Sequence, residues 1–237
     1  MPVKVLVVDD SGFFRRRLVE IFSADPRLQV VGTANNGKEA VDKVTALSPD
    51  VVTMDYEMPV LDGISAVSEI MKRKPTPVLM FSSLTHEGAR VTLDALEAGA
   101  VDFMPKNFED ISRDSAVVKH ALVDRVLTVA RTRLGGSAKP VARSATKVAP
   151  RPIVVDNDRG VIIPRARKKV SLVAIGTSTG GPMALQAVLT KLPKDFPVPL
   201  VLVQHMPAAF THAFADRLNN ICQIKVKEAE DGDKLVP

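Results

Sequence analysis

Apolar positions in the first half of the chain fall into short blocks separated by helical stripes. Val3–Val8 (VKVLVV) is a near-continuous apolar run, fit for a parallel strand buried on both faces. Ser11 then stands as an N-cap, and Phe14, Leu18 and Ile21/Phe22 recur at helical spacing. LQVVGTA reads as a second strand, Lys38–Leu47 as a helix and Asp50–Asp55 as a third strand. Ile64–Arg73 reads as a helix, Pro77–Ser83 as a fourth strand and Glu87–Ala98 as a helix ended by Gly99. VDFM is a fifth strand and Ser115–Arg133 a long last helix. Five strands alternating with five helices predict a doubly wound parallel sheet.

From residue 170 the alternation resumes. Val170–Ile175 reads as a strand, GTSTGG as a tight glycine-rich turn, and Pro182–Leu192 as a helix opened by proline. Pro199–Gln204 reads as a strand running into His205, Thr211–Asn219 as a helix and Gln223–Glu228 as one more strand. The sequence ends at DGDKLVP before this second sheet looks complete. Between the halves, Leu134–Pro164 is rich in Ala, Pro, Ser and basic residues without helical periodicity, the composition of an extended or mobile linker. The expected organisation is α/β throughout: a flavodoxin-like domain over residues 1–125, a helix end and basic linker over 126–167, and a second parallel α/β domain, Rossmann-like and incomplete, over 168–237.

The net charge of +5 means little until it is located. Residues 131–169 hold 11 Lys/Arg against 2 Asp/Glu, residues 1–130 hold 15 against 19, and residues 170–237 hold 6 of each. The basicity belongs to the linker and reads as a solvated tether rather than a nucleic-acid face. With no Trp and one Tyr, composition also argues against a base-stacking surface. The one cysteine, Cys222, excludes an intrachain disulfide and reads as a core residue. No apolar run has the length to cross a bilayer, and acid follows the N-terminus too soon for a signal peptide. These features predict a cytoplasmic protein with no nucleic-acid partner and no membrane insertion.

Candidate chemistry gathers at strand ends. Asp9 and Asp10 end strand one and Asp55 ends strand three. In the order 2-1-3-4-5 these strands are neighbours, and the crevice at their carboxyl ends is the ligand-binding switch point. Three converging carboxylates repel one another unless a hard cation joins them, which suits Mg²⁺. Ser82, near the end of strand four, and Lys106, after strand five, would complement a phosphoryl group on the same rim. Taken singly, each has a plainer explanation: Asp9 and Asp10 as a capping pair, Asp55 and Ser82 as turn residues, Lys106 as a surface charge. Together, DD at Asp9–Asp10, MDYEMPVLDG around Asp55, SSL at Ser82 and Lys106 after VDFMP resemble a response-regulator receiver domain. The resemblance implies a phosphoryl group accepted by Asp55 from a histidine kinase. Mg²⁺ would be held by Asp10, Asp55 and the Glu57 backbone carbonyl, with Asp9 assisting. Ser82 and Lys106 would contact the phosphoryl oxygens, and Phe103 would be the switch aromatic. The sequence departs from receivers at Asn107, where they usually place proline after the lysine.

In the second half, Gly176-Thr177-Ser178-Thr179-Gly180 fits G-x-S-x-G between a strand and a helix. A serine there projects beside a helix N-terminus whose free N–H groups stabilise an oxyanion. The same turn also serves as a phosphate cradle or a structural turn. His205, ending the next strand, supplies the base that a serine nucleophile needs. A metal site from His205, His212 and Asp216 lacks ligand spacing, and His86 and His120 read as surface residues. With the receiver and linker in place, AIGTSTGGP, QHMPAAFTHAFADRLN and KEAEDGDKL resemble the chemotaxis protein-glutamate methylesterase family, CheB. That resemblance implies Ser178 as nucleophile and His205 as general base. The activity implied is demethylation of glutamate methyl esters on methyl-accepting chemoreceptors, with deamidation of selected receptor glutamines and no cofactor for the ester chemistry. The family's catalytic aspartate lies in a Gly-rich motif that this sequence does not contain, and neither Asp195 nor Asp216 matches it. The rival expectation is a non-catalytic response regulator acting as a phosphate sink or binding adaptor.

Overall fold

The computed structural model describes residues 1–82, 86–106, 116–132 and 170–236. Its first sheet holds β1 (Val3–Val8), β2 (Leu28–Ala34), β3 (Val51–Asp55), β4 (Val78–Ser82) and β5 (Asp102–Pro105), all parallel, in the order β2-β1-β3-β4-β5. This is the flavodoxin-like order expected from the sequence. Apolar residues on both faces of the strands explain it. Val5, Val7, Val51, Leu79 and Phe81 pack on one side, against Phe14, Leu18 and Phe22 of α1 (Gly12–Ser23) and Leu122 and Val126 of α5 (Ala116–Ala130). Leu6, Val8, Val52, Met54 and Met80 pack on the other. There they meet α2 (Gly37–Leu47), α3 (Gly63–Arg73) and α4 (His86–Glu97). Side chains cap the first three helices: Ser11 accepts from Phe14 N, Asn36 from Glu39 N and Asp62 from Ser65 N.

The second segment forms β6 (Val173–Thr177) and β7 (Leu200–Gln204), a parallel pair, with α6 (Gly181–Leu189) and α7 (Ala208–Ile221). Leu185, Phe210, Phe214 and Leu218 of these helices join the apolar cluster that covers β3 and β4, so the two segments share one core. Phe103 stacks on Phe210 with ring centroids 4.7 Å apart. Arg217 reaches from α7 to Asp94 at 2.6 Å and to Glu97, both on α4.

Three expectations need correction. The segment Gln223–Glu228 bends at Gln223–Ile224 and is not a strand: Ile224 and Val226 pack inward, while Val226 N donates to the Asn219 side chain at 3.0 Å instead of to a neighbouring strand. Alternation reported burial there, not pairing. β6 starts and ends later than read, because Val170 and Leu172 are exposed while Gly176 and Thr177 pair with Val203 and Gln204. The glycine-rich turn therefore narrows to Ser178–Gly180. Helix α7 starts at Ala208, where Pro207 provides the extended entry. The basic linker and Asn107 lie outside the described residues. No helix among the described residues is long and apolar enough to cross a membrane.

Candidate functional site

Asp9 directly follows β1 and is fully buried; its Oδ1 accepts from Ser11 N at 2.8 Å. Asp55 is the last residue of β3, and its Oδ1 accepts from Tyr56 N at 2.9 Å. Lys106, one residue beyond β5, lies 2.7 Å from Asp55 Oδ2 and 2.9 Å from Asp9 Oδ2, over the ring of Phe14. Its backbone N donates to the Ser82 carbonyl at 2.7 Å, which fixes the end of β5 against the end of β4. Carboxylate oxygens of Asp9, Asp10 and Asp55 lie within 4.8 Å of one another, Asp10 being exposed. Ser82 is buried and its hydroxyl donates to the Gly88 carbonyl at 3.1 Å. Glu57 sits exposed on the loop after β3.

The approach of α3 to this pocket depends on Gly63, where an added Cβ would lie 2.2 Å from the Asp55 carbonyl oxygen. Burial, and next the charge of Asp9, push the Asp55 carboxyl up to about 6. Burial also raises Asp9, against the pull of Lys106. Burial opposes the charge on Lys106, yet its bonds to Asp55 and Asp9 outweigh that and raise it. One lysine thus serves two buried carboxylates with a third at the rim. An all-oxygen donor set with surplus negative charge fits a hard divalent cation.

The second cluster forms where β6 and β7 end. Thr177 pairs with Gln204 as the last rung of the ladder, so Ser178 and His205 are the first residues beyond it on adjacent strands. Ser178 Oγ lies 3.4 Å from His205 Nδ1, and both residues are exposed. His205 N donates to the Thr177 carbonyl at 3.0 Å, and Gly181 N to the Ser178 carbonyl at 2.7 Å. Gly180, at φ 70°, turns the chain into α6, and a proline sits in that helix's first turn. The considered metal group does not assemble. His212 lies 3.5 Å from Asp216 and 3.4 Å from Glu228, and the one metal-competent cluster among the described residues is Asp9, Asp10 and Asp55.

Sequence reasoning missed the link between the clusters. Arg125 Nη1 on α5 donates to Thr179 Oγ1 at 2.8 Å, one residue past Ser178, and lies 3.2 Å from Asp102 Oδ2 at the start of β5. Asp102 is buried; burial raises its pKa against the opposing charge of Arg125. The available signal was a lone arginine among the buried Val123, Val126 and Leu127 of α5, and a carboxylate opening a buried strand.

Residues 5–117 match the response-regulator receiver domain family, and residues 173–237 match the CheB methylesterase family. A protein-glutamate methylesterase/protein-glutamine glutaminase of Pseudomonas putida is 61% identical over all of this chain and 68% of its own length. One from Pseudomonas aeruginosa is 60% identical, again over the whole chain and 68% of its own length. The crystal structure of the response regulator domain of Thermotoga maritima CheB superposes with a TM-score of 0.52 and 43% identity, covering 56% of this chain and all of that domain. A receiver joined to methylesterase sequence, matched along its whole length by such enzymes, places this chain in the CheB family of protein-glutamate methylesterases/protein-glutamine glutaminases.

Proposed function

We propose that the chain belongs to a phosphorylation-regulated hydrolase that demethylates glutamate methyl esters on chemoreceptors and deamidates selected receptor glutamines. The observation that carries the reading is Ser178 Oγ set 3.4 Å from His205 Nδ1 at the carboxyl ends of adjacent parallel strands, beside a helix N-terminus. Ser178 Oγ adds to the ester carbonyl carbon while His205 takes its proton. The proton passes to the departing methoxide, which leaves as methanol. Water then adds to the acyl-enzyme with His205 again as base, and glutamate and free Ser178 result. With a glutamine side chain, ammonia is the group that leaves.

In the receiver, Asp55 is the phosphoacceptor for a chemotaxis histidine kinase. Asp10, Asp55 and the Glu57 carbonyl would hold Mg²⁺, which neutralises charge on the phosphoryl oxygens when bound. Lys106 supplies a fixed positive charge to the same oxygens, and Ser82 turns its hydroxyl from Gly88 toward them. Without phosphorylation, α4, α5 and β5 hold the second segment beside the Ser178–His205 pair, through Arg217–Asp94, Arg125–Thr179 and Phe103–Phe210; phosphorylation weakens that packing. The test is methanol release from methylated chemoreceptor membranes by the full-length enzyme, with and without a small phosphodonor and Mg²⁺. Stimulated release is expected. A protein phosphorylated on Asp55 that releases no methanol would instead be an adaptor or phosphate sink.

Arg125→Ala probes the gate. Loss of a charge-assisted bond to Thr179, about 1.5 kcal/mol, is expected to raise unphosphorylated turnover roughly tenfold without changing phosphodonor uptake. The substitution also strands Asp102. A carboxyl whose folded pKa lies above the ordinary 3.8 opposes folding progressively as pH rises past 3.8. Loss of Arg125 raises that pKa further. The stability deficit of Arg125→Ala in urea titrations is therefore expected to be larger at pH 7 than at pH 4; a deficit independent of pH would contradict the pairing.

A further inference from the structure

Gln204 is the residue immediately before His205, and its side chain is fully engaged. Its Oε1 accepts from Thr177 Oγ1 at 2.6 Å, and its Nε2 donates to both the Ser178 carbonyl and the His205 carbonyl at 3.1 Å. The orientation of the amide follows from its partners, since two carbonyls can only accept. These bonds occur where the β6–β7 ladder stops. Beyond the rung Thr177–Gln204 the strands exchange one further backbone bond, His205 N to the Thr177 carbonyl. Ser178, on the far side of that bond, has no ladder partner for its own carbonyl. That carbonyl accepts from Gly181 N at 2.7 Å in the turn and from the Gln204 amide as a second donor, which ties it to the carbonyl of His205 through a single nitrogen.

A second observation points to the same side chain. Gly181 opens α6 and does not have a positive φ, so its backbone alone does not call for glycine. A Cβ at this position would lie 2.0 Å from Gln204 Oε1. The glycine leaves room for the amide. Turn, helix start and strand end are all shaped around Gln204.

We infer that Gln204 is a positioning residue for the ester and amide hydrolysis: its side-chain amide sets the separation of Ser178 Oγ and His205 Nδ1 by clamping the two peptide units that carry them. It touches neither substrate nor the reacting atoms. The inference rests on the reading of Ser178 and His205 as nucleophile and base. Its effect belongs in kcat, because the separation matters when the proton moves and not when the receptor helix docks.

The experiment uses the full-length enzyme, saturating phosphodonor and methylated chemoreceptor membranes. Gln204→Leu is expected to lower kcat for methanol release about 10- to 100-fold, the scale of a misplacement near 1 Å, with KM within about threefold. Gln204→Glu, nearly isosteric, is expected to lose as much, because a carboxylate has no proton for the two carbonyls. It also decides the matter if the leucine variant fails to fold. Labelling of Ser178 by a sulfonyl fluoride separates positioning from folding. Full stoichiometry with a slowed rate supports the clamp, while reduced stoichiometry at an unchanged rate overturns it. A kcat within twofold of wild type in either variant also overturns it. Ser178→Ala is run alongside: methanol release surviving that substitution would refute the nucleophile reading itself, whereas silence in Ser178→Ala with full activity in Gln204→Glu would refute only the clamp.

Discussion

Replacing Ser178 with alanine is expected to lower phosphodonor-stimulated methanol release about 10⁶-fold, the scale on which a serine nucleophile acting as one unit with its base is lost. Nothing nearby can substitute. Thr177 Oγ1 is bonded to Gln204 and Thr179 Oγ1 to Arg125, so both flanking hydroxyls are already engaged. His205→Ala is expected to cost a comparable factor, because the hydroxyl then has no base within 3.4 Å. Both variants should take up phosphoryl groups on Asp55 normally, since neither residue touches the acidic pocket. Methanol release by Ser178→Ala within tenfold of wild type would remove the acyl-enzyme route.

Asp55→Asn is expected to abolish phosphoryl incorporation and, with it, all stimulation by a phosphodonor, leaving the unstimulated rate in place. The substitution keeps the shape of the side chain and an oxygen for Lys106, whose Nζ lies 2.7 Å from Asp55 Oδ2. On the proposed reading, it removes the carboxylate that attacks phosphorus. With its pKa pushed up to about 6, the Asp55 carboxyl is mainly ionised above that value, the form in which the proposed phosphoacceptor is nucleophilic. Phosphodonor labelling followed by mass measurement reads the outcome directly. Label in Asp55→Asn would move the acceptor elsewhere, with Asp9 and Asp10 as the neighbouring carboxylates.

The receiver-like sheet was legible because its strands are apolar on both faces. Val5 and Val7 face α1 while Leu6 and Val8 face α2, and only a sheet covered on both sides calls for that pattern. The acidic pocket followed from strand ends alone, since Asp9, Asp10 and Asp55 are forced together once β1 and β3 are neighbours. The short strands of the second segment were harder. Ile224 and Val226 alternate with polar residues, yet extended chain packed on a core alternates whether or not it joins a ladder. Val60, at φ 71° beside the Asp55 loop, had no signal, because a β-branched residue is the last expected in that region. Arg125 and Gln204 were invisible for another reason. Arg125 reaches Thr179 54 residues away and Gln204 reaches Thr177 27 residues away, and a hydrogen bond between side chains leaves no periodic trace.

The face where Phe103 stacks on Phe210 and Arg125 holds Thr179 belongs to both segments at once. Coupling through such a face is reciprocal. If a phosphoryl group on Asp55 favours access to Ser178 by some factor, a receptor helix seated at Ser178 favours the phosphoryl-bound receiver by that same factor. Under the proposed gating, the substrate would be an effector of the switch that controls its own hydrolysis. Excess methylated receptor is expected to tighten binding of beryllofluoride and Mg²⁺, a phosphoryl mimic, at Asp55, and demethylated product that leaves Ser178 should return the receiver to its weaker-binding state.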